Sequence, residues 1–232
     1  MTTQATLPPD SRPSEPPDAG RTTRGWRPSW PPPLPQAIAL VLGLVLLAGV
    51  VGWRLNEDDR PARDSVDVGF LDDMQLHHAQ GLEIAYAYLE HGSNETLRHI
   101  ARDIVTWQGM EIGLMRGILE RWGYSDDPND SNLTHEWLGT PVPAAEMPGM
   151  ADPDDITRLS ESESTEADDL FTALMIPHHL GGIHMADYAA DHAGTARVRE
   201  LAGQMVQSQG IEVEELDRIR LQLGLEPIED PE

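Results

Sequence analysis

The sequence predicts an all-α protein: an antiparallel four-helix bundle made of two repeated helical hairpins, preceded by a single transmembrane helix. Three observations carry this. The segments MQLHH (74–78) and MIPHH (175–179) lie 101 residues apart, and at the same offset each is followed by Gln-Gly-x-Glu, at 108–111 and 209–212. Apolar residues around both copies recur at three- and four-residue spacing, the mark of a helix face. Residues 34–53 form an uncharged apolar run of about 20 residues, enough at 1.5 Å per residue to cross a hydrocarbon core of about 30 Å.

Ahead of that run, residues 1–33 are rich in Pro, Ser, Thr and Arg. They hold too few aliphatic groups to offset the entropy of ordering, and are expected to form a disordered tail. Trp30 and Trp53 flank the run and suit membrane interfaces. The run lies too far from the start, and lacks an Ala-x-Ala site, for a cleaved signal peptide, which makes it an anchor. Arg12, Arg21, Arg24 and Arg27 before it, and Arg54, Arg60 and Arg63 after it, lean towards a cytoplasmic N-terminus. The larger portion is then extracytoplasmic at the cell membrane.

A polar linker (54–66) leads to the first repeat (67–124). Phe70, Met74, Leu82, Ala85 and Leu89 mark one helix; Leu97, Ile100, Ile104, Ile112, Met115 and Ile118 mark the next. His91, Gly92, Ser93 and Asn94 supply a stop and a new N-cap between them. The second repeat (167–225) follows the same plan. Aligned without gaps, residues 67–124 and 168–225 are identical at about 16 of 58 positions, including Phe70/Phe171, Arg98/Arg199 and Ile118/Ile219. A lone hairpin cannot cover its own apolar face, so two pack into a bundle. The connector (125–166) holds a polar loop, then MPGM (147–150), then Asp152 and Pro153 as N-cap and first position of a short helix.

The formal charge of -24 falls outside residues 1–53. Nucleic acid, which needs a basic surface, is excluded as a partner; an acidic surface attracts cations. The chain has no Cys, so its soft donors are Met thioethers. No Gly-rich phosphate loop or Gly-x-Ser-x-Gly is present, and nothing in the sequence signals an enzyme. Leu114 and Glu215 stand three residues after Glu111 and Glu212, so the Glu-x-x-His pattern of di-iron bundles is missing.

In a helix, Met74 shares a face with His77 and His78, as Met175 does with His178 and His179. If the first hairpin reverses near Gly92 and Ser93, the imidazoles face Trp107 and Gln108, and Met74 faces Glu111. In the second, the pair faces Ser208 and Gln209, and Met175 faces Glu212. Each hairpin would set two imidazoles, a thioether, a carboxamide and a carboxylate at one level. Imidazole with thioether suits copper as Cu(I) or Cu(II), with other transition metals open. Met147, Met150, Met115, His184 and Met185 are further candidate ligands. A buried Glu–His hydrogen-bond network in a non-metal interaction module is the alternative, since buried imidazoles and carboxylates need some partner. Met110 and Met205 read as core filler, His91 and His192 as helix ends, His99 and His135 as exposed. No protein partner can be named.

At MPGMADPDDITRL (147–159), DLFTALMIPHHLGGIHMA (169–186), VRELAGQMVQSQGIEVEEL (198–216), FLDDMQLHHAQGLEIA (70–85) and IARDIVTWQGMEIGLM (100–115), the chain resembles the bacterial family called domain of unknown function 305, which includes copper-handling members. The resemblance covers about residues 67–223. It implies an extracytoplasmic, ferritin-like four-helix bundle that in some members binds copper. Glu83 and Ile84 replace the His184 and Met185 of the second half, and Leu216 replaces Met115, so two half-sites would be unequal.

Overall fold

The computed structural model describes residues 34–56, 60–124 and 133–228. The expected disordered tail (1–33) and most of the polar loop of the connector lie outside these residues. The chain divides into two units, Met1–Asp58 and Asp59–Glu232.

The first unit contributes helix α1, Leu34–Asn56. The expected apolar run is therefore helical, and its leucines and valines between 34 and 51 are exposed. Among the described residues no helix is long and apolar enough to cross a membrane.

The second unit is all-α in substance. Helices α2 (Val66–His91) and α3 (Glu95–Arg121) form one hairpin; α5 (Ser164–His192) and α6 (Ala196–Gln222) form the other. Between them the connector carries a two-residue antiparallel pair, β1 (Leu133–Thr134) and β2 (Val142–Pro143), and the short helix α4 (Pro153–Glu161). Local chemistry accounts for these limits. Ser65 caps α2 through its side chain, Asn94 accepts from Thr96 and Leu97 N–H, Thr195 accepts from Val198 N–H, and Asp152 caps α4 ahead of Pro153. Each hairpin turn is also clasped by the repeated arginine. Arg98 Nη1 donates to the carbonyls of Leu89 and Gly92, and Arg199 Nη1 to those of Ala193 and Gly194. A cation there answers the orphan carbonyls of a helix C-terminus.

The hairpins pack through α2 and α5, which run antiparallel, and each ties down the other's turn. Asp67, at the start of α2, accepts from the N–H groups of Gly194 (2.7 Å) and Thr195 (2.8 Å). Its repeat partner Asp168 accepts from Ser93 N–H (3.0 Å), Asn94 N–H (3.1 Å) and Ser93 Oγ (2.8 Å). Asp168 also takes the Tyr88 hydroxyl at 2.6 Å. Burial first, and this carboxylate second, raise the Tyr88 hydroxyl well above its ordinary pKa, so it remains a donor.

Two apolar clusters fill the interior. One gathers Val68, Phe70, Leu71, Met74, Met115, Met185, Leu201 and Met205 near the α5–α6 turn. The other gathers Ile84, Tyr88, Leu97, Ile104, Phe171, Met175, Leu216 and Ile219 near the α2–α3 turn. Met205 is core, as expected, whereas Met110 is exposed on the outer side of α3. The reason is helical phase: Met110 lies two residues from buried Gln108, on the side of α3 that turns outwards.

Because each Asp joins two segments far apart in sequence, its removal should destabilise the whole unit. Asp168→Ala loses four bonds to a buried carboxylate and Asp67→Ala two. The expected costs are about 2–4 and about 1–3 kcal/mol in urea unfolding at pH 7, with Asp168→Ala the larger. Equal, negligible costs would mean the turns hold themselves.

Candidate metal centre

Between the two apolar clusters lies a polar layer. His77, His78, His178 and His179 have no exposed surface, and Gln108 and Gln209 are 4% and 3% exposed. The four imidazoles meet in one layer: the His77 and His178 rings stack at 4.0 Å between centroids, 30° between planes, and His178 and His179 lie 6.1 Å apart.

Each ring makes its hydrogen bond through Nε2. His78 Nε2 pairs with Glu111 Oε2 at 2.8 Å and His179 Nε2 with Glu212 Oε2 at 2.6 Å. His178 Nε2 reaches the backbone carbonyl of His77 at 3.0 Å, and His77 Nε2 that of Pro148 at 3.2 Å. A carbonyl only accepts, so His77 and His178 must carry the proton on Nε2. Burial first, then the neighbouring imidazole His78, push His77 down to about 3; burial and His77 push His178 well below its ordinary value. Both rings are therefore neutral at pH 7, and Nδ1 presents a bare lone pair.

The Nδ1 atoms of all four rings, and both amide atoms of Gln108 and Gln209, are buried without a hydrogen-bond partner among the described residues. Buried polar atoms are nearly always satisfied, so a group of eight orphans in one layer calls for a reason. An Nε2–H held by a carboxylate or carbonyl with Nδ1 left open is how a metal-ligating histidine is oriented. The donor chemistry fits a borderline or soft cation. Among the described residues, however, no group of three or more His, Asp or Glu is drawn together tightly enough to hold a metal ion.

The register differs from the sequence expectation by one helical turn. Glu111 meets His78, and Glu212 meets His179, where Met74 and Met175 were expected. The turn is centred on Asn94 and Thr195, the N-caps, two residues beyond the assumed reversal points. Imidazoles, carboxamides and carboxylates thus share a level, while the thioethers fall outside it. Met74, Met115, Met147 and Met185 lie in one apolar cluster, with Met150 partly buried against it, and Met175 lies in the other. His184 is exposed.

Glycines open the layer. A Cβ on Gly81 would sit 2.3 Å from Gln108 Oε1 and 3.0 Å from His178 Cε1. One on Gly182 would sit 2.5 Å from Gln209 Oε1 and 3.2 Å from His77 Cε1. These two glycines are themselves 101 residues apart, a signal in the sequence that a helical Gly kept in both copies marks a close approach. The connector closes the layer on one side. Gly149 adopts φ +81°, and a Cβ on Gly181 would stand 1.9 Å from the Pro148 carbonyl oxygen, so the MPGM strap lies directly on the α5 backbone. Gln80 clamps the strap with two bonds to the backbone of Ala151, at 2.9 and 2.7 Å.

His135 corrects another expectation. It is 2% exposed, because its N–H donates to Asp73 Oδ2 at 2.7 Å, and Trp137 Nε1 donates to the same oxygen at 2.7 Å. His99 is exposed as expected, and His91 and His192 end α2 and α5 as expected.

A model of the family described as "Domain of unknown function (DUF305)" matches residues 67–220. Among solved structures, a DUF305 protein from Streptomyces coelicolor is 30% identical, with 72% of this chain and 99% of that chain covered and a TM-score of 0.67. A DUF305 fragment from Deinococcus radiodurans is 31% identical over 66% of this chain and 94% of that one, TM-score 0.57. CopM in its Cu(II)-bound form is 22% identical over 68% and 97%, TM-score 0.52, a likeness of fold. No curated protein matches the chain.

Acid should unfold the metal-free protein early. The lowered pKa values of His77 and His178 mean that their contribution is complete above the unfolded-state value of about 6.5 and is lost as pH falls towards 3. His77 alone gives a slope of up to about 1.4 kcal/mol per pH unit in that window. His135, pushed down to about 4 chiefly by burial, acts in the same sense, and Asp73, raised to about 6 by burial, opposes it. Denaturation midpoints measured from pH 7.5 to 4 should fall steadily, and His178→Gln should flatten the slope. A flat wild-type profile would show that the imidazoles are not sequestered from water.

Proposed function

The chain belongs to the DUF305 family, and from that premise we propose that its folded portion binds a copper ion, for storage or delivery, at the buried imidazole layer. The observation that carries this reading is the set of four Nδ1 atoms, buried and without a protein partner, on rings whose Nε2 atoms are already held. His77, His78, His178 and His179 would supply the donors. Glu111 and Glu212 orient two of the rings and lend negative charge. Neutral imidazoles suit either copper state, and other transition metals of similar softness compete for the same donors. Met74, Met115, Met147, Met150 and Met175 pack the clusters around the layer, where a thioether adapts to irregular gaps. CopM, which shares the fold, is known in Cu(I)- and Cu(II)-bound forms, and this agrees with the choice of metal.

A second reading, a structural or interaction module without metal, is favoured by the four Nε2 bonds that already tie the layer together. Equilibrium competition of the purified full chain against Cu(I) and Cu(II) chelators decides between them. Uptake of at least one equivalent at sub-micromolar affinity is expected. It should weaken at least tenfold in His78→Gln with His179→Gln, at unchanged helicity. Wild-type protein that takes up neither ion at micromolar concentration leaves the interaction module standing.

The proposal includes the organisation read from the sequence: tail (1–33), transmembrane anchor (34–53), linker (54–66), and a ferritin-like four-helix bundle (67–225) outside the cytoplasm. The uncharged run supports the anchor, and the S. coelicolor relative, regarded as secreted, supports the outside placement. The full chain should stay with membranes through carbonate extraction, and deletion of 34–53 should release it. A full chain recovered in the carbonate supernatant would rule the anchor out.

A further inference from the structure

The outward side of α3 carries an apolar face that the bundle does not use. Trp107 and Met110 are each 59% exposed and Leu114 is 37% exposed. Their spacing of three and four residues sets them on one side of the helix, with exposed Gly113 and Gly117 beside them. A Cβ on either glycine would meet nothing within 4 Å, so the ground over them is open. Between Asp103 and Arg116 the one charged residue is Glu111, and it turns inwards to His78 Nε2 at 2.8 Å. The second repeat serves as an internal control. At the matching positions of α6 stand Ser208, Ile211 and Glu215, of which only Ile211 is apolar. Both helices pack in the same bundle, so packing does not demand the apolar set on α3.

Charge decides what covers this face. The chain has a net charge of -24, and α2 and α5 hold acids but no Lys or Arg. Two copies meeting through those helices would repel, and a basic partner would be drawn to them rather than to α3. On α3 four Arg balance four acids, and their order is self-complementary. Arg102 and Glu120 are about five turns apart, so they lie on one edge of the face. Asp103 and Arg121, at the same separation, lie on the other edge, and all four are exposed. When two α3 helices pack antiparallel about a two-fold axis, each edge meets the same edge of the second copy in reverse order. Arg102 then faces Glu120 of the second copy, and Asp103 faces its Arg121, each contact being made twice. Glu120 already accepts from Arg116 Nε of its own helix at 3.3 Å, and a carboxylate has room for two cations. The same register sets Met110 opposite Gly113 of the second copy and Trp107 beside its Leu114. We propose that this chain forms a homodimer in which two α3 helices pack antiparallel through Trp107, Met110 and Leu114. In the second repeat the four charged positions hold Gly203, Gln204, Leu221 and Gln222, so α6 offers no equivalent surface. The dimer does not rest on the function proposed above, since none of its contacts lies in the imidazole layer.

The test is sedimentation equilibrium of the full chain in density-matched detergent. One helix pair is smaller than a standard interface, so a dimer with a micromolar Kd is expected. Met110→Arg, at an exposed position that leaves helicity unchanged, should raise the Kd about tenfold or more. Ile211→Arg, at the matching place on α6, should leave it unchanged. Arg102→Glu should also weaken the dimer. Adding Glu120→Arg to it exchanges the charges on one edge of both copies and should restore the wild-type Kd. A chain that stays monomeric up to near-millimolar concentration would overturn the proposal. So would a dimer unmoved by Met110→Arg, because its contact would then lie elsewhere, residues 34–53 included. A dimer broken by Met110→Arg and by Arg102→Glu, yet not recovered by the charge exchange, would overturn the antiparallel register.

Discussion

Four imidazoles with no exposed surface impose a desolvation cost that no apolar packing can offset. The architecture answers it in three ways. Charge is removed, since burial and mutual repulsion keep His77 and His178 neutral. Each Nε2 is given an acceptor: a carboxylate on the partner helix of its own hairpin for His78 and His179, the His77 carbonyl across the interface for His178, and the Pro148 carbonyl of the connector for His77. The apolar residues are divided into two clusters, one on either side, so that neither a thioether nor an aliphatic group is wasted against a polar atom. The polar layer therefore fixes how α2 meets α5. Sliding one helix along the other by a turn would strip His178 of the His77 carbonyl and bring its ring against a side chain, where now it lies beside Gly81.

The interface that holds this layer is reinforced at both ends by exchange between the repeats. Asp67 caps the turn of the second hairpin and Asp168 that of the first. Neither hairpin completes its own turn, so a separated hairpin would leave backbone N–H groups at the start of α3 or α6 without their acceptor. Burying the layer and closing the turns are thus one cooperative act, and the repeat unit is a half, not a domain.

Much of this was legible in the sequence because it follows from local spacing. The four long helices, the caps at Asn94 and Asp152, the joining of the hairpins and the pairing of each His–His segment with a Glu on the next helix all rest on periodicity and on the offset of 101. What was not legible depends on where a turn reverses and on what the connector does. A two-residue error at Gly92 moved the facing register by a full turn, exchanging Met74 for His78 as the neighbour of Glu111. His135 looked exposed because it lies in an irregular segment next to polar residues, and nothing local shows that Asp73, 62 residues away, grips its backbone. The apolar run at 34–53 is helical, as its uncharged stretch predicts, but among the described residues no helix is long and apolar enough to cross a membrane.

The connector also explains why two nearly equal repeats give two unequal sides. His178 passes through the groove opened by Gly81 and donates to the carbonyl of His77. By the repeat, His77 beside Gly182 would donate to the carbonyl of His178. It does not, because the MPGM strap occupies that ground: Gly149 stands against the His178 backbone, and the Pro148 carbonyl takes the His77 proton. A strap this close is possible only because Gly181 presents no Cβ, where the first repeat has Gln80, and Gln80 in turn clamps the strap at Ala151. The insertion between the repeats has therefore become part of the buried layer. One imidazole is held by a carbonyl of α2, and its twin by a carbonyl of the strap, which Gln80, buried Met147 and the close approach at Gly181 hold against the bundle.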